Sequence, residues 1–171
     1  MKILVFSDSH GDNMLMGRVI DKFKDEIGAV LFAGDNVEDF TDFHYIYPNV
    51  KFFCVIGNCD FNTGIPTERT FQLGGNRIFL THGHRFSVKS GHKRIMREAL
   101  SIGANICIYG HSHVPAAFFE QNIYFLNPGS ISEPRSTDYP TFAVMDIEPE
   151  GVKLKIIGVN KDGFLTHIAL D

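Results

Sequence analysis

The 171-residue chain is predicted to adopt an α/β fold, and two features of its sequence carry that prediction. Short apolar runs rich in Ile, Val and Phe recur along the first two thirds of the chain. Their near-continuous apolar character is typical of strands that are covered on both faces. Helical periodicity separates the first two runs, which is the pattern of strand-helix-strand units. The predicted strands are residues 3–6, 29–33, 52–56, 78–80 and 106–109.

The first predicted helix joins the first two strands. Its apolar residues recur at helical spacing, which places one apolar face against a sheet. Asp12 or Asn13 is available as the N-cap, and Gly28 stands just past the expected end. The residues of the stripe are Leu15, Val19, Phe23 and Ile27.

A second helix is predicted over residues 88–102, where an apolar stripe ends at Gly103. The opposite face is basic, and we interpret it first as ordinary solvated surface and second as an anion site. The stripe contains Ile95, Ala99 and Ile102, and the cations are Lys89, Lys93, Arg94 and Arg97. A shorter helix is predicted within residues 36–48 from Phe40, Phe43 and Ile46.

The C-terminal third changes to short strands joined by turn residues. Strands are predicted at about 117–119, 123–126, 141–147 and 152–158. Connections this short predict antiparallel pairing. In the last strand Val152, Leu154 and Ile156 alternate with lysines, which predicts one buried and one wet face. The length and composition favour a single domain over residues 1–171.

Composition and charge exclude several classes of protein. A net charge of −4 gives no broad positive field for nucleic acid. The three cysteines are odd in number and lack Cys-x-x-Cys spacing, so neither a disulfide framework nor a thiolate zinc site is indicated. The first apolar stretch is too short for a secretory segment, and no run reaches membrane-spanning length. We therefore expect a protein of the reducing cytoplasm that has no membrane partner.

Five polar clusters follow the apolar runs and contain five of the eight histidines. The first potential metal ligands of these clusters are separated by 27, 23, 24 and 29 residues, about one strand-helix-strand unit each. They are Asp8, Asp35, Asn58, His82 and His111. Because strand ends in an open α/β sheet can converge on one site, the sequence predicts a metal centre there.

The side chains of these clusters define the class of metal. Carboxylate, amide oxygen and imidazole suit Mn²⁺, Fe²⁺, Co²⁺, Ni²⁺ or Zn²⁺ and disfavour Cu⁺. Asp8 and His10 are two residues apart, so an extended backbone would point both toward one ion. The residues do not choose among these metals.

The motifs together resemble the five signature blocks of the calcineurin-like metallophosphoesterase superfamily. Residues 127–130, Asn-Pro-Gly-Ser, are similar to a block of its small single-domain phosphodiesterases. The resemblance implies two mixed β-sheets packed as a sandwich and flanked by α-helices. The matching blocks are Asp8-x-His10, Gly34-Asp35, Gly57-Asn58-Cys59-Asp60, His82-Gly83-His84 and Gly110-His111-x-His113.

The resemblance also implies two divalent transition-metal ions, with Mn²⁺ expected first, and a division of the ligands between them. Asp8, His10 and His113 would hold one ion, whereas Asn58, His82 and His111 would hold the other. Asp35 would bridge them, because two neighbouring cations need an anion between them. The implied activity is phosphodiester hydrolysis by attack of a metal-bridging hydroxide, with a small phosphodiester as substrate.

Two of the blocks, the one with Cys59 and the one with His82 and His84, leave the roles of their residues open. Many members of the superfamily carry a His after the Gly-Asn pair, but this chain has Cys59 there. We therefore expect His84 to act as the leaving-group acid, beside Asp35 and Asn58 in the catalytic set. Either His82 or His84 could be the ligand, with His82 favoured by the resemblance. Asp60 is expected either to orient His82 or His111 or to serve as a turn residue.

Two other functions are compatible with the same blocks. A phosphomonoesterase acting on small phosphorylated metabolites is the nearer alternative. The second is a non-catalytic protein-binding scaffold, because the retromer coat uses this fold in that way. The retained ligand set argues against a scaffold. A homo-oligomer contact could use the aromatic residues Phe118 and Phe119 or those of 40–47, which core packing would explain equally well.

Overall fold

Two β-sheets form the centre of the molecule in a computed structural model that describes residues 1–61, 64–160, 162 and 165–168. The first sheet has six strands in the order β11-β10-β9-β1-β2-β3, and the second has five in the order β4-β5-β6-β8-β7. The strands are β1 Lys2–Phe6, β2 Ile27–Phe32, β3 Lys51–Cys54, β4 Glu68–Leu73, β5 Asn76–Thr81, β6 Ile106–Ile108, β7 Ala116–Glu120, β8 Ile123–Asn127, β9 Thr141–Glu148, β10 Gly151–Val159 and β11 Leu165–Ile168.

Both sheets are mixed, as the sequence predicts. Strands β1, β2 and β3 pair in parallel, while β9, β10 and β11 pair antiparallel beside them. In the second sheet β5, β6 and β8 are parallel, and β4 and β7 close the edges antiparallel. The carboxyl ends of β1, β2 and β3 therefore meet at one edge of the first sheet. Those of β5 and β6 meet at one edge of the second.

The strands are buried on both faces, which explains their continuous apolar sequence. In β1, Ile3 and Val5 pack between the two sheets, whereas Leu4 and Phe6 pack against the helices. Helix α1 covers the outer face of the first sheet, and α4 covers the outer face of the second. The predicted sandwich flanked by helices is thus confirmed as four layers.

The helices are shorter than the apolar periodicity suggests. They are α1 Met14–Phe23, α2 Glu38–Thr41, α3 Phe43–Ile46 and α4 Lys93–Ser101. The expected end of the first helix was wrong, because Ile27 and Gly28 already belong to β2. The second helix starts at Lys93, after the left-handed backbone of Ser87 and the positive φ of Gly91 confine residues 88–90 to a 3₁₀ turn. Gly103 follows its end with φ 66°, as expected.

The remaining predicted elements are present, with two additions. Both C-terminal hairpins pair antiparallel, and Lys153 and Lys155 lie on the exposed face of β10. The edge strands β4 and β11 were not predicted. In the 40–47 segment Phe40 and Phe43 are core residues, whereas Ile46 is exposed. Among the described residues, no helix has the length and apolar character needed to cross a membrane.

Candidate metal centre

Short loops at the carboxyl ends of the parallel strands carry all seven predicted ligands. Asp8 and His10 follow β1, Asp35 follows β2, and Asn58 follows β3 in the first sheet. His82 follows β5 directly, and both His111 and His113 follow β6 in the second sheet. The two sheets pack face to face, so their loops meet along one edge of the sandwich. This topology supports the argument that the strand ends converge.

Three of these side chains form what we call the first cluster. Asp8, His10 and His113 each offer a ligand atom, and these atoms lie within 4.8 Å of one another. The Nε2 of His113 is 3.2 Å from Asp8 Oδ1 and 3.2 Å from His10 Nε2. Three donors aimed at a common point from two sheets are the arrangement that a single cation requires.

Three others form the second cluster. Asp35, His82 and His111 likewise place their ligand atoms within 4.8 Å of one another. The Nε2 of His82 lies 3.3 Å from Asp35 Oδ2 and 3.2 Å from His111 Nδ1. Asp35 Oδ2 is also 4.0 Å from His10 Nε2, so this carboxylate faces both clusters. It has the position that a bridging ligand would need.

Backbone carbonyl groups fix the tautomers of two histidines. Nδ1 of His82 lies 2.7 Å from Ala33 O, and Nδ1 of His113 lies 2.8 Å from Glu133 O. Because a carbonyl oxygen can only accept, each Nδ1 carries the proton and donates. When neutral, each ring therefore presents its Nε2 lone pair to the centre of the site, which is the usual state of a metal-bound imidazole.

The chemistry of Asp8 tests whether this site fits a cation. The residue is fully buried, and its Oδ2 accepts from the His111 N–H at 3.1 Å. Its Oδ1 has no hydrogen-bond partner among the described residues. A buried carboxylate oxygen without a donor is costly. A divalent ion would satisfy it, so the donor set fits a metal.

The titration of the site reflects its crowded charges. Burial opposes a charge on His82, but Asp35 and Asp8 outweigh burial and raise the pKa of His82. The Asp8 carboxylate likewise raises the pKa of His113. Burial and then the His82 charge lower the pKa of His111 to about 4. Burial also opposes ionisation of Asp35, but His82 and the Cys59 N–H prevail and lower the pKa of Asp35.

Left-handed backbone conformations aim most of these ligands. Positive φ angles occur at Asp8 (56°), His10 (46°), Asp35 (67°), His111 (66°) and His113 (59°). Such conformations are unfavourable for residues with a Cβ and persist where the surroundings hold them in place. In the loop after β1, the carbonyl group of Asp8 accepts from the hydroxyls of Ser130 and Ser132. The strained loops thus fix the ligand directions before any ion binds.

Two glycines of the signature blocks are required by close packing. A Cβ on Gly57 would lie 2.0 Å from Asp35 Oδ1, and a Cβ on Gly110 would lie 1.9 Å from Ser7 Oγ. No heavy atom can be placed at those distances without moving the ligand loops. Gly57 therefore lets the loops after β2 and β3 meet within the first sheet, and Gly110 lets a loop of the second sheet meet one of the first.

Asp60 has a different role from the two that the sequence suggested. Its Oδ2 accepts from the N–H groups of Asp35 and Gly57 at 3.0 and 2.7 Å, and its Oδ1 accepts from the Val37 N–H at 2.7 Å. These bonds join the loops after β2 and β3. The expectation that Asp60 orients His82 or His111 was wrong, because its carboxylate is directed at these backbone groups.

Asn58, Cys59 and His84 complete the set of predicted site residues. Asn58 is exposed, and the described contacts of its amide are with Cys59 Sγ at 3.3 Å, so its role as a ligand stays a prediction. Cys59 groups with His10 and Asp35 as a third set of potential ligands, which sequence reasoning missed. Burial and Asp35 raise the pKa of that thiol to about 11, so it stays protonated at neutral pH.

Of the two alternatives in the His82-Gly83-His84 block, the geometry favours His82 as the ligand. The His82 side chain is fully buried inside the second cluster. The His84 ring centroid lies 6.1 Å from that of His111, outside every group of potential ligands among the described residues. Its buried Nδ1 has no described partner, and burial lowers the pKa of His84. His84 therefore borders the site as a neutral ring.

The last residue of β8 and the residues just after it, which the sequence marks as the Asn-Pro-Gly-Ser block, support the site. Asn127 Nδ2 donates to Gly110 O at 3.0 Å and so holds the loop that carries His111 and His113. The hydroxyls of Ser130 and Ser132 donate to Asp8 O at 2.7 and 3.1 Å.

Comparison with known proteins identifies the family. The family model of the calcineurin-like phosphoesterase superfamily domain matches residues 1–150. The chain belongs to this superfamily. It is a family of metal-dependent phosphoesterases, and the ligand clusters lie within the matched residues.

Individual members of the superfamily are similar along their whole length. Phosphodiesterase YfcE of Escherichia coli strain K12 is 26% identical over 198 residues, covering 100% of this chain and 99% of that protein. A conserved protein of Streptococcus pneumoniae TIGR4, a predicted phosphoesterase, is 32% identical with a TM-score of 0.78, covering 98% of this chain and 96% of that one. Vps29 of Entamoeba histolytica in complex with Zn²⁺ is 22% identical with a TM-score of 0.80 and covers 98% and 97%, which shows the fold alone.

Proposed function

We propose that this superfamily member is a dinuclear metal-dependent phosphodiesterase. One observation carries the proposal: the Asp35 carboxylate faces two separate clusters of potential ligands, 3.3 Å from His82 Nε2 and 4.0 Å from His10 Nε2. A single ion would leave one cluster unused. Two ions that share an anionic bridge use all six of these side chains.

The ligand assignment follows the two clusters. Asp8, His10 and His113 would hold one ion, and His82 and His111 with Asn58 the other. Asp35 would bridge the two. Two divalent ions, with Mn²⁺ proposed first, would supply positive charge to stabilise the transition state and activate a water molecule at neutral pH.

The protein's own groups prepare this chemistry. The Cys59 N–H donates to Asp35 Oδ1 at 2.9 Å, which favours the ionised carboxylate. The Ala33 and Glu133 carbonyl groups hold His82 and His113 with their Nε2 atoms inward. The rim at Asn58 and Cys59 is exposed, so a diester can approach from solvent.

His84 is proposed to contact the leaving group. The lowered pKa means that its ring is neutral at pH 7, so it would act through a hydrogen bond rather than as a charged acid. This refines the expectation from the sequence that His84 protonates the leaving group.

A diester is proposed over a monoester because YfcE, similar along the full chain, is a phosphodiesterase by name. The site is also open at its rim and is not enclosed by a cap among the described residues, which suits a phosphate with two substituents. The comparison of bis-p-nitrophenyl phosphate with p-nitrophenyl phosphate separates the alternatives. We expect the diester to have the higher kcat/KM.

The deciding experiment combines elemental analysis with turnover. The purified chain should contain two metal equivalents and hydrolyse bis-p-nitrophenyl phosphate with Mn²⁺. Asp35→Asn should lose the activity, because an amide supplies no anionic bridge. An active Asp35→Asn variant with unchanged metal content would contradict the dinuclear mechanism. A matched control is Asp25→Asn, which removes a carboxylate in the turn after α1.

A further inference from the structure

A second polar site lies beside the metal centre, between the segment of residues 84–91 and the first turns of α4. It is a cleft of about 670 Å³, and we call it the basic cleft. Its polar side chains are hydroxyls, a histidine and cations, and no carboxylate lines it. They belong to Ser87, Ser90, His92, Lys93, Arg94 and Arg97.

The cations of the basic cleft are not neutralised by neighbouring acids. Among the described residues, Lys93, Arg94 and Arg97 have no ion pair, and Arg94 donates to the neutral Ser87 Oγ at 3.1 Å. His92 differs, because its Nε2 lies 3.0 Å from Glu120 Oε2 at the rim. Three like charges around one cleft repel one another in a protein of net charge −4. An anion would relieve that repulsion.

The chain segment that forms one wall of the basic cleft also borders the metal centre. Residue 84 opens the segment that forms one wall, and its ring borders the second cluster 6.1 Å from that of His111. The same segment then turns through a left-handed Ser87, which lines the cleft. Lys89 belongs to the same segment, and its charge acts on His111. A ligand bound at the metals could therefore extend along this segment.

We infer that the basic cleft binds a further phosphate group of the substrate, remote from the phosphorus that is attacked. The inference rests on the proposed function, and it narrows the substrate class to phosphodiesters that carry an additional phosphate. Planar guanidinium groups and hydroxyls are suited to the oxygens of a phosphate monoester, which offers more charge than a diester. This assigns the basic face of α4 to binding instead of ordinary solvation.

The test uses two ligands that differ by one phosphate. Calorimetry of the full chain loaded with Mn²⁺ should measure the affinity for dithymidine monophosphate and for its 5′-phosphorylated form. We expect the phosphorylated form to bind about tenfold more tightly, from two or three partly screened charge pairs. The preference should shrink at high salt. Equal affinities for the two ligands would overturn the inference.

Variants locate the preference. Lys93→Gln with Arg97→Gln should abolish the tenfold ratio, and a general loss of binding cancels because both ligands are measured in each variant. Lys153→Gln with Lys155→Gln removes the same charge from the exposed face of β10 and should keep the ratio. A ratio that survives in the Lys93 and Arg97 variant would overturn the inference.

A final arm separates the basic cleft from the metals themselves. If thymidine 5′-monophosphate binds as tightly as the phosphorylated dinucleotide, the extra phosphate is bound at the metal centre and the inference fails. Turnover of bis-p-nitrophenyl phosphate tests the proposed function alone, since that diester carries no second phosphate. Calorimetry does not require turnover, so the two proposals can fail separately.

Discussion

The first and second clusters differ in how they hold protons. In the first, His113 is held by a backbone carbonyl and its pKa is raised by Asp8. In the second, His82 has a raised pKa while its neighbour His111 has one lowered to about 4. The contact of 3.2 Å between His82 Nε2 and His111 Nδ1 suits one proton shared by that pair.

Because of this difference, a metal that binds here would displace protons from particular atoms. A ligand histidine has to be neutral, so His82 and His113 would each release a proton that their carboxylate neighbours favour. His111 is already neutral at pH 7. Metal uptake should therefore strengthen as pH rises through the raised pKa values.

The largest expected effect comes from removing one ligand of each cluster. His113→Ala and His82→Ala should each remove about one metal equivalent and lower turnover of bis-p-nitrophenyl phosphate by roughly a thousandfold. Elemental analysis and kinetics measure both. Loss of both metals from either variant would show that the clusters are not separate sites.

A smaller effect is expected from a side chain placed against Asp35, the proposed bridging ligand. Gly57→Ala would place a Cβ 2.0 Å from Asp35 Oδ1, so the carboxylate must move away from both clusters. We expect about 2 kcal/mol lower free energy of unfolding and roughly a hundredfold lower activity. The control Gly17→Ala, in α1, meets Phe43 at 3.3 Å and should keep the activity. Normal activity in Gly57→Ala would mean that Asp35 is not fixed by this contact.

Substitution of the two acids that hold the ligand loops, Asp60 and Asp39, should affect the two clusters differently. Asp60→Asn loosens the loop of Asp35 and should weaken binding of both ions about tenfold. Asp39 accepts from Ser9 Oγ and the Gly11 N–H at 2.7 and 2.8 Å, beside His10. Asp39→Asn should therefore weaken the ion of the first cluster alone. Calorimetric titration with Mn²⁺ measures this, and identical effects of the two variants would refute the distinction.

The smallest effect concerns the stability of the metal-free protein. The lowered pKa of His111 favours folding above pH 6.5, and this contribution is lost as pH falls toward about 4. Contributions of His82 and His113 have the opposite sign: they are complete below pH 6.5 and are lost as pH rises through their raised values. As pH falls from 6.5 to 5.5, the free energy of unfolding of the His111→Gln variant should decrease by about 1 kcal/mol less than that of the unmodified protein. Urea unfolding at each pH measures this free energy. The same pH dependence in the variant and the unmodified protein would contradict the prediction.

Strands and ligand blocks were predictable because both depend on local sequence. Strands buried on two faces must be apolar throughout, and their short loops place ligands at fixed pitch. Strand β4 was missed because it lies at a partly exposed edge and begins with two charged residues, Glu68 and Arg69, so it lacks the continuous apolar character of the strands that are buried on both faces. The start of α4 was missed because the positive φ of Gly91 interrupts a pattern that is otherwise helical.

The roles of Asp60 and Cys59 could not be read from the sequence. Asp60 bonds to the N–H of Asp35, which is 25 residues away and reaches it only because β2 pairs with β3. Cys59 joins a group of potential ligands only because its loop folds over Asp35. Each role depends on the packing of loops that are distant in sequence.

The fold class, the strands that carry the potential ligands and the family resemblance could all be predicted from the sequence, since they follow from residue types at fixed spacing. Only the three-dimensional arrangement shows that Asp35 faces both clusters and that the side chain of His82, and not that of His84, is enclosed. It also decided that the basic face of α4 lines a cleft beside the metal centre. These are distances between atoms on different strands, and they are set by how the two sheets pack.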